Sequence, residues 1–214
     1  MPGIGTIDNM ITLDDYSNPF NAVLDFEKVL CEYTGAPYAV VTDCCTHAIE
    51  IALRIDRPSE VEFTAHTYLS VLMTMHKLGI SYSLVDESWA GEYQLRGSRI
   101  WDSARRLDKN MYRAGDVQCL SFGRTKPLQI GQGGCILTDD PVLAARASKM
   151  RYDGRDIFRY HPWVEQETFE VGFHYFMRPE ECIAGLNMLN SNQLITQIDS
   201  YYNYPDCRKI KIIN

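Results

Sequence analysis

The sequence predicts an α/β fold, a mostly parallel sheet with helices on both faces, from three observations. Short runs rich in valine, isoleucine and aromatic residues alternate with longer stretches whose apolar residues recur at helical spacing. Gly35, Pro141, Pro179 and Pro205 stand at the ends of such runs. The chain has 214 residues with 45% hydrophobic content, enough to bury a substantial core. Alternation of strand and helix patterns is what a parallel sheet covered on both faces requires, because each crossover needs a helix. The length predicts one domain over 1–214.

The elements follow in order. Residues 21–33 carry Val23, Leu24, Phe26, Val29 and Leu30 on one helical stripe, and Gly35 closes that helix. A strand at 38–42 leads into a helix from about 46, where Ile49, Ala52 and Leu53 recur with helical spacing. A short strand at 61–63 and a helix over 69–78 come next. Strands are predicted at 80–85, 99–101, 117–122 and 135–138, then a helix over 141–150 that starts on Pro141, a residue suited to a first turn. Residues 151–170 are aromatic and charged without period, which predicts a long loop and a candidate substrate or partner surface. Pro179 opens a helix to 189 with an acidic first turn, and a last helix over 192–202 is predicted to end before Pro205.

Composition narrows the function. Net charge is −7, from 21 basic and 28 acidic residues with no basic block, so nucleic-acid binding is disfavoured. No apolar stretch reaches membrane-span length, and the first residues lack the basic-then-apolar order of a signal peptide. Seven cysteines, odd in number and never in Cys-x-x-Cys spacing, read as reduced thiols, and the expected compartment is the cytoplasm. The five histidines show no metal-like spacing, so no metal site is expected.

Three segments carry candidate chemistry. In Cys119-Leu-Ser-Phe-Gly-Arg-Thr-Lys-Pro-Leu-Gln-Ile-Gly-Gln-Gly-Gly134, Lys126 stands between a strand and a glycine turn, where an amine can be held and partly deprotonated for attack on an aldehyde. In Gly97-Ser-Arg-Ile-Trp-Asp-Ser-Ala104, Asp102 falls where an apolar strand ends. Ligands of open parallel sheets sit beyond the carboxyl ends of strands, so this carboxylate and that amine can meet in one pocket. Either residue alone also reads as an ordinary loop lysine or a capping aspartate. In Tyr38-Ala-Val-Val-Thr-Asp-Cys-Cys-Thr-His-Ala-Ile-Glu-Ile-Ala-Leu53, a strand turns into a helix at Asp43 to Thr46, and free N–H groups there favour an anion such as phosphate.

In this order the segments resemble the DegT-type sugar aminotransferases, a branch of the fold-type-I enzymes that use pyridoxal phosphate. The family's Ser-Gly-Thr-x-Ala-Leu corresponds to Cys44-Cys45-Thr46-His47-Ala48-Ile49, and its Pro-x-x-Thr-aromatic to Thr64-Ala65-His66-Thr67-Tyr68. Its Glu-Asp-x-Ala, Ser-Phe-x-x-x-Lys and Gly-Glu-Gly-Gly correspond to Trp101-Asp102-Ser103-Ala104, Ser121-Phe122-Gly123-Arg124-Thr125-Lys126 and Gly131-Gln132-Gly133-Gly134. A later Gly-Tyr-Asn-Tyr-Arg-Met corresponds to Gly172-Phe173-His174-Tyr175-Phe176-Met177.

The resemblance implies a site. Lys126 would carry pyridoxal phosphate covalently and Asp102 would face its ring nitrogen, these two being the catalytic pair. Tyr68 would lie on the ring face, with Arg105 in the place of the family's Gln or His. Thr46 and Ser121 would hold the phosphate beside Cys45, which replaces a glycine, and His174 would reach the phosphate of a neighbouring subunit in a homodimer. The implied reaction moves an amino group from an amino acid, expected to be glutamate, to a keto sugar linked to a nucleotide. Between Asp86 and Asp102 one β-α unit of the family is missing, and the C-terminal small domain is not reached. Two other readings stand beside it: a degenerate homologue that binds cofactor or sugar with little turnover, and an interaction protein in which Lys126 is idle.

Overall fold

The structure, a computed structural model, describes residues 10–159, 163–194 and 204–213. The first layer is α1 (Asn21–Thr34), which stops at Gly35 because φ of 78° there suits glycine and lets its N–H reach Cys31 O. Next come β1 (Tyr38–Thr42), α2 (Cys45–Asp56), β2 (Glu60–Thr64), α3 (Leu69–Leu78) and β3 (Ser81–Val85). The chain continues through β4 (Tyr93–Gln94), β5 (Ile100–Asp102), β6 (Val117–Ser121) and β7 (Gly134–Thr138). Then α4 (Pro141–Met150) starts from Asp140, whose carboxylate accepts the N–H groups of Val142 and Leu143, and α5 (Pro179–Asn190) starts on a proline.

The α/β alternation is as expected, while the strand pairing is mixed. The main sheet runs β1-β7-β6-β5-β4, with β5 and β6 parallel and β7 antiparallel to both of its neighbours. Strands β2 and β3 form a parallel pair, joined to the main sheet through mutual hydrogen bonds of Glu62 and Arg96. Following these pairings, β1, β6, β5, β2 and β3 point one way and β7 and β4 the other. The mostly parallel expectation therefore holds for direction, but β7 wedges between β1 and β6 and makes their contacts antiparallel. Strand β4 is reversed because a hairpin through Leu95 to Arg99 joins it to β5 with no crossover helix, in the stretch where the missing β-α unit was expected.

Period-two alternation buries both faces of the sheet. Val40, Cys119 and Ile136 pack under α2 and α4 with Ile49, Leu53, Leu143 and Ala147. Their neighbours Val41, Leu120 and Leu137 turn to the other face, against Val23, Phe26 and Leu30 of α1 and Leu186 of α5. Among the described residues of 151–170 there are turns and a short 3-10 helix, Trp163–Glu165, with Arg151 and Tyr152 buried at the start. The helix expected over 192–202 lies mostly outside the described residues, and 192–194 are not helical. Among the described residues no helix is long and apolar enough to cross a membrane.

Candidate active site

Strands β5 and β6 are parallel neighbours, with Asp102 opposite Cys119, so their carboxyl ends open on the same side. A cavity of about 470 Å³ lies there, and Asp102, Ser121 and Lys126 all line it. Cys44, Cys45 and Thr46 at the start of α2 form another wall, with Tyr68 and Arg105 completing the set. Seven of the eight residues singled out from sequence thus converge.

Asp102 is buried at the floor of this cavity. Its Oδ2 accepts a hydrogen bond from Tyr93 Oη at 2.8 Å, and its Oδ1 accepts one from Ala104 N at 3.0 Å. Burial raises its carboxyl above the ordinary value, while the Ala104 N–H, the Tyr93 hydroxyl and the charges of Lys126 and Arg105 pull the other way. Lys126 is half-buried, and its backbone N–H closes a turn on Gly123 O at 3.0 Å.

The start of α2 is shaped for an anion. Cys44 supplies no side-chain cap, so the first helical N–H groups face the cavity without a local acceptor from that residue. The Thr46 hydroxyl lies 2.7 Å from Ser70 Oγ, and both line the wall. Gly134 lets β7 pass beneath this turn: a Cβ there would stand 2.5 Å from Cys45 N and 2.6 Å from Cys44 O.

Arg105 is held at the mouth, its Nε donating to Tyr204 Oη at 3.0 Å and its guanidinium 5.3 Å from that ring's centre. Tyr204 also stacks on Trp89 at 5.9 Å and meets Tyr68 edge-on at 6.3 Å, and Tyr68 itself is 61% exposed. His174 sits elsewhere. Phe173 and Tyr175 turn toward α2, where Tyr175 stacks on His47 with centroids 3.5 Å apart, so the residue between them points outward. It is 71% exposed and pairs with Asp153 Oδ2 at 3.3 Å.

Sequence reading missed Thr125, next to Lys126, and also Ser70, Trp89, Tyr93 and Tyr204, which tertiary contacts bring to the site from separate segments. It also missed a grouping of Asp43, Cys44 and His47, whose potential ligand atoms lie within 4.8 Å of one another. There His47 Nδ1 is 2.6 Å from Asp43 Oδ1. Burial pushes the imidazole down, but hydrogen bonds to Asp43 and Cys44 outweigh it and raise it to about 9.

The model of the DegT/DnrJ/EryC1/StrS aminotransferase family matches residues 4–100 and 103–197. The chain belongs to this family. A search of curated proteins gave no match. Among solved structures, AtS13 from Actinomadura melliaura superposes with TM-score 0.67 at 19% identity, over 80% of this chain and 60% of that one. DesI, solved in the presence of its TDP-sugar product, gives TM-score 0.66 at 21% identity, over 84% and 55%. PseC of Helicobacter pylori, an aminotransferase involved in the biosynthesis of pseudoaminic acid, gives 0.62 at 17%, over 80% and 58%. The chain thus spans between 55% and 60% of the length of these relatives. The fold is that of fold-type-I aminotransferases in shortened form.

Proposed function

We propose that this DegT-family chain binds pyridoxal phosphate and serves as a sugar aminotransferase, moving an amino group from an amino acid to a keto sugar. The observation that carries this reading is the convergence of Lys126 and Asp102 in one cavity with the uncapped start of α2. The residues fit the cofactor: a primary amine for its aldehyde, a buried carboxylate for its ring nitrogen, and helix N–H groups with the Thr46 and Ser121 hydroxyls for its phosphate. When bound, pyridoxal phosphate supplies an electron-accepting ring that eases removal of an α-proton.

The chain's own groups divide the remaining work. Lys126 Nζ would anchor the cofactor and carry the donor's α-proton. Asp102 would hold a proton on the ring nitrogen, a role its buried, low-dielectric position suits. Tyr68 would flank the ring, with Cys45 and Arg105, which line the same cavity, beside it. We further propose glutamate as donor, a nucleotide-linked hexose as acceptor, a cytoplasmic setting, a single domain over 1–214, and a homodimer in which exposed His174 reaches the partner's phosphate. Family membership and the exposure of His174 support these steps.

Mixing the protein with pyridoxal phosphate is expected to give an absorbance band near the visible edge, and borohydride is expected to fix the added mass on Lys126. Lys126→Ala is expected to abolish both. A wild-type chain with neither band nor added mass refutes the proposal. A second reading, a cofactor-binding homologue with little turnover, is favoured by Arg105 clasping Tyr204 within the cavity. A band that no amino donor bleaches would select it.

A further inference from the structure

Tyr93 is absent from every motif quoted above, yet it lies directly opposite Asp102 in the β4–β5 ladder. Cross-strand partners share a face, so the phenol stands beside the carboxylate by register. Its Oη donates to Asp102 Oδ2 at 2.8 Å and takes a short hydrogen bond with Thr67 Oγ1. Tyr93 has one hydroxyl proton, so while Asp102 is ionised the proton points to the carboxylate and Thr67 donates to Tyr93. Thr67 also lines the cavity, which makes this a buried relay from wall to floor.

We infer that Tyr93 is a positioning residue that keeps Asp102 ionised and aimed for the cofactor's ring nitrogen. The role rests on the proposed cofactor site, but the underlying coupling belongs to the protein alone. Burial opposes a charge on Asp102, and the groups facing it come from every packed element: Tyr93 on β4, Cys45 on α2, Cys119 on β6, Lys126 and Arg105 from the loops. The two thiols are buried and held protonated by that burial, so they add no charge. Lys126 and Arg105 act through space from the rim. Tyr93 donates to Asp102 at 2.8 Å, whereas Cys45 Sγ makes a longer and weaker contact at 4.0 Å. Burial and the adjacent Asp102 also push the phenol up, so it retains its proton and remains a donor.

The test reads Asp102 in the cofactor-free full chain by carboxyl-carbon NMR, with Asp102→Asn identifying the resonance. In Tyr93→Phe the proton affinity of Asp102 is expected to rise by about tenfold or more, because a charge-assisted hydrogen bond is removed. In a chain with trifluorotyrosine at position 93, a stronger donor of nearly the same shape, the affinity is expected to fall. The fluorinated chain serves as the test if Tyr93→Phe fails to fold. An Asp102 titration unmoved in folded Tyr93→Phe, or unmoved in the fluorinated chain, overturns the inference whatever the cofactor does. Absence of any cofactor adduct in wild type instead refutes the proposed function, and the carboxyl titration still stands apart from it.

Discussion

Gly134 fixes how close β7 comes to the start of α2, and replacing it tests whether that closeness serves the site. In Gly134→Ala the added Cβ would lie 2.5 Å from Cys45 N, where ordinary contact begins at 3.4 Å, a shortfall of 0.9 Å. The obstructing atoms are backbone, so no side-chain rotation relieves them; the turn at Cys44 and Cys45 must move. Overpacking of this kind costs about 1–3 kcal/mol. The stiffer unfolded chain returns only about 0.4–1 kcal/mol, so net destabilisation is expected. A shift approaching 1 Å would remove at least one charge-assisted N–H contact to the phosphate of the proposed cofactor, about 1.5–3 kcal/mol, or roughly 10- to 100-fold in cofactor affinity. Urea unfolding and absorbance titration with pyridoxal phosphate measure the two effects. Gly123→Ala is the control: its Cβ would meet Lys126 Cγ at 3.7 Å and Ser121 Oγ at 3.8 Å, both ordinary contacts, so stability should hold. A Gly134→Ala protein with wild-type stability and affinity would refute the claim that this glycine shapes the phosphate end.

Asp102→Asn is expected to leave the melting temperature equal or higher while cutting donor-driven bleaching of the cofactor by about 100-fold or more. Burial raises the Asp102 carboxyl, so its ionisation weakens the folded state as pH climbs through the folded value, and asparagine escapes that term. A melting temperature far below wild type would show instead that Asp102 is structural. His47→Gln addresses the start of α2. The His47 imidazolium, raised from 6.5 to about 9, adds stability that is complete below about 6.5 and fades as pH rises through about 9. Wild type should therefore lose thermal stability across that interval more steeply than His47→Gln, and parallel curves from differential scanning fluorimetry would remove the pair from the account.

Much of this arrangement is legible in the residues. Gly35, Gly79, Pro141 and Pro179 mark helix ends through backbone constraints that tertiary packing cannot override, and the observed helices end or begin there. Asp102 and Lys126 are legible because strand ends are where open sheets gather ligands. Strand direction is not written in a period-two pattern, so the reversal of β7 emerges only from pairing. Strand β4 has two residues, too few for any alternation to show. His174 illustrates a different limit: motif position places a residue along the chain, but the parity of its neighbours decides which side it faces. Ser70, Trp89 and Tyr204 reach the cavity from segments up to 134 positions apart, with no local signal of convergence.

A two-residue strand that delivers a buried phenol to a buried carboxylate needs anchorage beyond its own ladder. Glu92, adjacent to Tyr93, supplies it. Its carboxylate accepts Arg113 Nη1 at 2.5 Å, Ser103 Oγ at 2.7 Å and Gln118 Nε2 at 3.1 Å, and it pairs with Arg106. Burial alone would push Glu92 up, yet the Arg113 and Ser103 hydrogen bonds and the Arg106 charge bring it below the ordinary value. The clamp therefore holds above the unfolded carboxyl's titration and loosens as pH falls through the folded one. On the other side, Arg96 bonds Glu62 at 3.0 Å and Glu87 at 2.5 Å, tying the hairpin to β2. These ties hold β4 from both sides, so the loss of a β-α unit need not open the floor of the cavity: charge pairing does the work that helix packing would do in a longer crossover. Acid should then loosen this anchorage of β4 through Glu92, and protonation of Asp102 itself, whose carboxyl burial raises, should weaken its bond to Tyr93 directly.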